Sequence, residues 1–185
     1  SDLPVTGTTK RWTAVTTAKH NYNDGKKYPR PDFAINDSFS NIKVRWRHAS
    51  EANVISTPAV KNGLVIFGNQ QGKIVALSLR NGKLKWNFQT GAAVYSSPAI
   101  AENKIVFGST DGHVYCLDMN GKLQWKFKAN AAVLGSPVID SNVVYIGASD
   151  HQFRAIDLKS GKEKWVFNGL NGPVVSTPVL YKDAV

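Results

Sequence analysis

From about residue 46 onward, short apolar runs alternate with clusters of Asn, Asp, Gly and Ser. The stretch 93–127 shows the pattern well. Ala93–Ile100, which contains Ser-Ser-Pro, predicts a first strand, and Lys104–Gly108 (KIVFG) a second. His113–Met119 (HVYCLDM) alternates with period two and predicts a third strand; Leu123–Phe127 (LQWKF) predicts a fourth. The separators are Glu102-Asn103, Ser109-Thr110-Asp111-Gly112 and Asn120-Gly121. Asn and Gly tolerate the positive φ that tight hairpins demand. β-branched and aromatic residues fill the runs, as strands prefer, and no 3.6-residue period competes.

The pattern repeats. Trp46, Trp86, Trp125 and Trp165 are spaced by 40, 39 and 40 residues, and Pro58, Pro98, Pro137 and Pro178 by 40, 39 and 41. Runs ending in glycine recur as Leu64–Gly68, Lys104–Gly108 and Val143–Gly147. Four-stranded units at a period of about 40 predict the blades of a β-propeller. Each blade is a small sheet that stacks on its neighbours to bury its faces. The expected fold is therefore all-β: a partial propeller of about three full four-stranded antiparallel blades plus flanking strands. The units fall near 46–86, 87–125 and 126–165, with a further one starting at 166–185.

Three segments carry a family resemblance. Ala155–Trp165 (AIDLKSGKEKW) resembles the tryptophan-docking motif of quinoprotein (PQQ)-like propeller repeats. Ala76–Trp86 (ALSLRNGKLKW) departs by having Ser78 for Asp, and Cys116–Trp125 (CLDMNGKLQW) is one residue shorter and starts with Cys. The motif also has a direct physical reading. Trp46, Trp86, Trp125 and Trp165 are expected to lie flat on the next blade, each burying on the order of 150–250 Å². Gly82, Gly121 and Gly161 supply the sharp hairpin before the fourth strand. Asp118 and Asp157 cap that hairpin by accepting backbone N–H groups. Lys83, Lys122 and Lys162 run their stems along the outer sheet.

Propellers with such repeats resemble seven- or eight-bladed rings, about 280–340 residues at this period. The expectation is thus a fragment of such a ring. Completion by further copies of the chain, or by residues 1–45 supplying strands, are the other accounts. Residues 1–45 differ in character: Lys10–Thr17 predicts one or two strands, and Tyr28-Pro29-Arg30-Pro31 is extended. They are expected to form a lead-in, linker or strap ahead of the propeller at 46–185.

Composition adds little chemistry. The 185 residues are 42% hydrophobic and carry a formal charge of +10, split evenly about residue 50. No basic run exceeds two residues, which argues against nucleic acid. No apolar stretch approaches the roughly 18 residues needed to span a bilayer. Cys116 is the single cysteine; it aligns with Ala76 and Ala155, and His113 lies on the opposite strand face, so no nucleophile pair forms. His20, His48, His113 and His151 hold no common repeat position as metal ligands. Asp118 and Asp157 share one repeat phase on different blades and do not form an acid/base pair, and the turns at Asp111 and Asp150 lack the spacing of a calcium loop.

No catalytic, metal or cofactor residue is assigned. Propeller logic places a ligand or partner surface on loops entering the first strands: Asn53, Tyr95, Leu134 and Val175, followed by Ser56, Ser96, Ser136 and Ser176, with Tyr95 foremost. The resemblance implies a non-catalytic scaffold outside the cytoplasm, in the periplasm or at the cell surface, like the propeller lipoprotein of outer-membrane β-barrel assembly. Its partner would be another protein, the rest of its own propeller or a second copy. The alternative is an accessory module of a larger enzyme, such as a metallophosphoesterase, whose active site lies outside this chain. A quinone-dependent dehydrogenase fragment is the third expectation.

Overall fold

The computed structural model describes residues 44–181 and 184–185. The strand expected at Lys10–Thr17 lies outside them. Among the described residues, twelve strands form three four-stranded antiparallel sheets, each a simple meander. Blade A comprises β1 (Ala59–Lys61), β2 (Leu64–Gly68), β3 (Lys73–Ser78) and β4 (Leu84–Gln89). Blade B comprises β5 (Ala99–Ala101), β6 (Lys104–Gly108), β7 (His113–Asp118) and β8 (Leu123–Lys128). Blade C comprises β9 (Val138–Asp140), β10 (Val143–Gly147), β11 (Phe153–Asp157) and β12 (Glu163–Phe167). The chain is a partial β-propeller.

The hairpins follow from local chemistry. The first turn of each blade has two residues, both at positive φ: Asn62-Gly63 (49° and 73°), Glu102-Asn103 (46° and 58°) and Ser141-Asn142 (46° and 67°). This backbone matches the twist of the flanking strands. It closes the pairs Lys61↔Leu64, Ala101↔Lys104 and Asp140↔Val143. In the next turn, Gly72 and Gly112 are left-handed, and blade C places His151 there at φ 64°.

The first strand is shorter than the pattern predicts: three residues in blade B, Ala99–Ala101, against the expected Ala93–Ile100. The missing residues are bonded elsewhere. Val94 N donates to Asn69 O at 3.0 Å, and Ala93 O accepts Thr110 N at 2.9 Å. Pro98 has no N–H to give a ladder.

The core sits between blades. Ile66, Ile74 and Ala76 of blade A meet Ile105, Phe107 and Leu117 of blade B. Val106, Val114 and Cys116 of blade B meet Val144, Ile146 and Ile156 of blade C. The middle strands are covered on both faces, which explains their nearly continuous apolar runs. Each third strand also carries a register shift against the fourth, after Ala76, Cys116 and Ala155. Those three residues stand directly opposite Trp86, Trp125 and Trp165. A small side chain is needed beside each indole, so Cys116 is packing.

Candidate interaction surface and blade junctions

Three tryptophans reach onto the following blade in one geometry. Trp46 Nε1 donates to Leu79 O, Trp86 Nε1 to Met119 O and Trp125 Nε1 to Leu158 O, each at 2.9 Å. The rings cover glycine: a Cβ at Gly82, Gly121 or Gly161 would lie 2.6–2.7 Å from Trp46, Trp86 or Trp125. The three glycines have φ of 67°, 81° and 70°, so the bare Cα serves both the turn and the ring. Trp165 differs. It is 43% exposed and flanked by Tyr145 and Phe153 of its own sheet, and no described carbonyl receives its N–H.

The turn that precedes each fourth strand is closed by a side-chain oxygen. Asp118 Oδ1 accepts from Asn120 N and Lys122 N, both at 2.9 Å. Asp157 Oδ1 accepts from Ser160 N at 2.8 Å and Ser160 Oγ at 2.7 Å. The Ser160 hydroxyl holds the half-buried Asp157 carboxyl below its ordinary value. In blade A, Asn81 Oδ1 takes Lys83 N at 3.2 Å instead.

A second carboxylate position, weighed from the sequence only as a calcium loop, proves to link the blades. Asp111 and Asp150 lie in the turns between second and third strands and bind backward to the preceding blade. Gly91 N donates to Asp111 Oδ2 at 2.8 Å, and Asn130 N to Asp150 Oδ2 at 3.0 Å. Asp111 Oδ2 also accepts the Tyr115 hydroxyl at 2.6 Å, and Oδ1 lies 3.2 Å from His113 Nδ1. Asp150 pairs with Arg154, whose side chain is buried and whose guanidinium lies 5.9 Å from the Phe127 ring centre. Burial pushes both carboxyls up, but the bonds from Tyr115, Gly91 and His113, and from Arg154, Asn130 and Gln152, outweigh it and hold both low. Burial and Asp111 together push the Tyr115 hydroxyl far above its ordinary value. Blade A has Gln71 at this position, and Lys73 pairs with Glu51 across the junction. The available signal was the shared repeat phase of Asp111 and Asp150.

The surface candidates need one correction. Asn53 is not in phase with Tyr95. Its carbonyl accepts Gln70 N, as Ala93 O accepts Thr110 N and Ala132 O accepts Ser149 N. Asn53 Nδ2 also donates to Gln70 Oε1 at 3.2 Å. Counting back from the prolines, the residue in phase with Tyr95, Leu134 and Val175 is Ile55. The serines likewise do not share one position. Ser56 Oγ takes Gly68 N and Ser96 Oγ takes Gly108 N, whereas blade C has Gly135 at that point. Ser136 instead accepts Ser97 N at 2.8 Å, as Ser97 accepts Thr57 N at 2.8 Å. The one-residue deletion in the β7–β8 hairpin, where Asn120-Gly121 replaces Arg80-Asn81-Gly82, produces the offset. These links between neighbouring blade entries put Ile55, Tyr95 and Leu134 in lateral succession, with Val175 next in repeat phase. Ile55 is 61% exposed and Val175 54%; Tyr95 and Leu134 are half-buried.

A family model described as outer membrane protein assembly factor BamB (PQQ_2) matches residues 39–112 and 90–185. The chain belongs to this PQQ-like propeller family. Among curated proteins no sequence matches. Among solved structures, BamB from Moraxella catarrhalis is similar at TM-score 0.60 and 23% identity, over 66% of this chain and 39% of that one. The quinohemoprotein alcohol dehydrogenase ADHIIG from Pseudomonas putida HK5 is similar at TM-score 0.60 and 23% identity, over 68% of this chain and 22% of that one. The computationally designed Ika4 protein gives TM-score 0.68 at 19% identity, over 76% of this chain and 88% of that one. This chain thus spans well under half of the natural relatives it resembles, and these likenesses concern the fold.

Among the described residues no donor set matches the quinone of family enzymes. Among the described residues no three of His, Cys, Asp and Glu converge. Asp111 and Asp150 are saturated by amides, a phenol and a guanidinium, and Cys116 is buried with its thiol pushed up to about 12 by burial.

Proposed function

We propose that this chain is a non-catalytic section of a larger propeller that acts outside the cytoplasm as a protein-binding scaffold. The observation that carries the reading is the row Ile55, Tyr95, Leu134 and Val175. One apolar side chain per blade stands at the entry to each first strand, with Ile55 and Val175 exposed and Tyr95 and Leu134 half-buried. Rigid sheets presenting variable loops are the usual platform for recognition. The family to which the chain belongs, that of the outer membrane protein assembly factor BamB, supports both the partner class and the compartment.

The test replaces Tyr95 with a photoreactive residue in cells that make the protein. A protein adduct in the envelope fraction, lost when Leu134→Asp is added, is expected. Tyr95→Ala should weaken that association and leave the melting temperature unchanged. A melting shift with no adduct would assign the row to packing, and recovery of the protein in the cytosol would remove the compartment.

A further inference from the structure

Blade A lacks one carboxylate that blades B and C both use. Its β3–β4 hairpin otherwise has the backbone of the blade C hairpin. Ser78 N donates to Lys83 O, Gly82 N to Ser78 O and Leu79 N to Gly63 O, each at 2.8 Å. In blade C, Asp157 N donates to Lys162 O at 2.8 Å, and Gly161 N to Asp157 O and Leu158 N to Asn142 O at 2.9 Å. Asn81 Oδ1 takes Lys83 N as Ser160 Oγ takes Lys162 N. The Asp157 carboxylate fills the centre of the blade C corner: Oδ1 accepts Ser160 N, and Oδ2 accepts Asn142 Nδ2 at 3.2 Å. Ser160, the Lys159 amide and the charge of Lys164 all favour its ionised form. The same phases in blade A are Asn81, Arg80 and Lys85, but Ser78 stands for Asp157 and Gly63 for Asn142. Among the described residues, nothing takes the amides of Arg80 or Asn81 or bonds the Ser78 hydroxyl.

The two smaller residues leave space. A notch of about 680 Å³ opens at this corner, lined by Asn62, Leu64, Ser78, Lys85 and Trp86 of blade A and by Asn120 of blade B. Charge is distributed to match. Residues 45–90 carry seven Lys and Arg against a single acid, Glu51, which pairs with Lys73. Residues 91–130 carry four against three, and 131–168 four against four. Excess positive charge therefore gathers on the blade that lacks the capping acid, where it draws an anion from solution.

We infer that this notch binds the carboxylate of an acidic protein segment, with one oxygen on the Arg80 and Asn81 amides and the other on the Ser78 hydroxyl and the Lys85 ammonium. Successive amides in a turn form a concavity for anions, and such charge-assisted bonds are about twice as strong as neutral ones. The planar group with two oxygens that Asp157 presents in blade C is the shape this corner is built around, which selects a carboxylate over a phosphate. Leu64 and Trp86 offer an apolar wall to the residue beside the acid. The notch lies at the opposite end of β1 from Ile55, so the inference is independent of the scaffold reading.

The test titrates the full chain, isotope-labelled for NMR, with N-acetyl-Leu-Asp-amide, whose acid is a side chain, and with N-acetyl-Leu-Leu, whose acid is a chain end. At least one peptide should move the Arg80 and Asn81 amide resonances to saturation, and the tighter of the two names the source. The Lys159 and Ser160 amides, already served by Asp157, should stay in place. Ser78→Asp supplies the acid from within, as in blade C, and should abolish the shifts while the melting temperature holds or rises. Lys85→Gln should weaken binding about two- to fivefold. Arg80 and Asn81 resonances that do not move, or that move equally with N-acetyl-Leu-Asn-amide, would overturn the inference. So would shifts that persist in Ser78→Asp, or tighter binding of inorganic phosphate than of either peptide.

Discussion

The Tyr115 hydroxyl and the Gly91 amide meet on one oxygen, Asp111 Oδ2, at 2.6 and 2.8 Å. Tyr115 belongs to blade B and Gly91 follows the last strand of blade A. The carboxylate thus links a side chain of its own sheet to the main chain of the sheet before it, and Asp150 does the same between blades B and C.

Asp111→Ala should destabilise the fold by about 1.5–3 kcal/mol, the range for a hydrogen bond to a charged group whose loss strands its partners. Tyr115→Phe removes one donor and should cost about 1 kcal/mol. Urea unfolding of the two variants and the double variant would yield the coupling. Additive losses would show that the phenol and the carboxylate act separately.

Acid should loosen these junctions. The carboxyls of Asp111 and Asp150 are held below their ordinary value in the folded chain. Such groups stabilise the fold fully above the unfolded value of about 3.9, and the contribution is lost as pH falls through the folded value. The urea midpoint should therefore be insensitive to these groups near neutrality and drop below about pH 4. Asp111→Asn should lower the midpoint at neutral pH and flatten the acid limb; an unchanged acid limb would refute the assignment.

Filling the space beneath a docked indole should be costly. Gly121→Val puts a branched side chain at φ 81° and into the Trp86 ring. Left-handed strain of about 1–2 kcal/mol adds to overpacking of about 1–3 kcal/mol. Melting temperature and Trp86 emission should both shift, with the indole becoming more accessible to quencher.

His151 offers the opposite case. It adopts φ 64° where blades A and B have Gly72 and Gly112. His151→Gly relieves left-handed strain at the expense of chain entropy, so a gain of up to about 1 kcal/mol is expected in urea unfolding.

Cys116 should resist modification in the folded chain. Burial pushes its thiol up to about 12, and no surface reaches it. A disulfide reagent at pH 8 should label it only in urea concentrations that unfold blade B. Rapid labelling of the native chain would show that the B–C junction opens.

The blade pattern was legible because it is written in side chains. The Trp spacing, the runs ending in Gly68, Gly108 and Gly147, and the Asn and Gly turns each reflect a steric demand that few residues meet. The junction links were not legible for the converse reason. Asp111 binds the amide of Gly91, and any non-proline residue carries that group, so position 91 holds no trace of its partner. The shortened first strand was hidden in the same way, since Ala93 and Val94 spend their main-chain groups on the turn of another strand. Asn53 on the partner row is a two-residue misphasing of the repeat: the spacing to Pro58 already points to Ile55, and the hydrogen-bond register agrees.

The reach of each indole, 33 residues forward, bears on how such a chain is made. Every closure joins a repeat to the one just completed, so a growing polypeptide can lock each sheet down soon after it leaves the ribosome, without waiting for distant sequence. Assembly then proceeds like a zip, nucleating at any tooth, and damage at one tooth weakens its neighbours but leaves the far end of the row engaged.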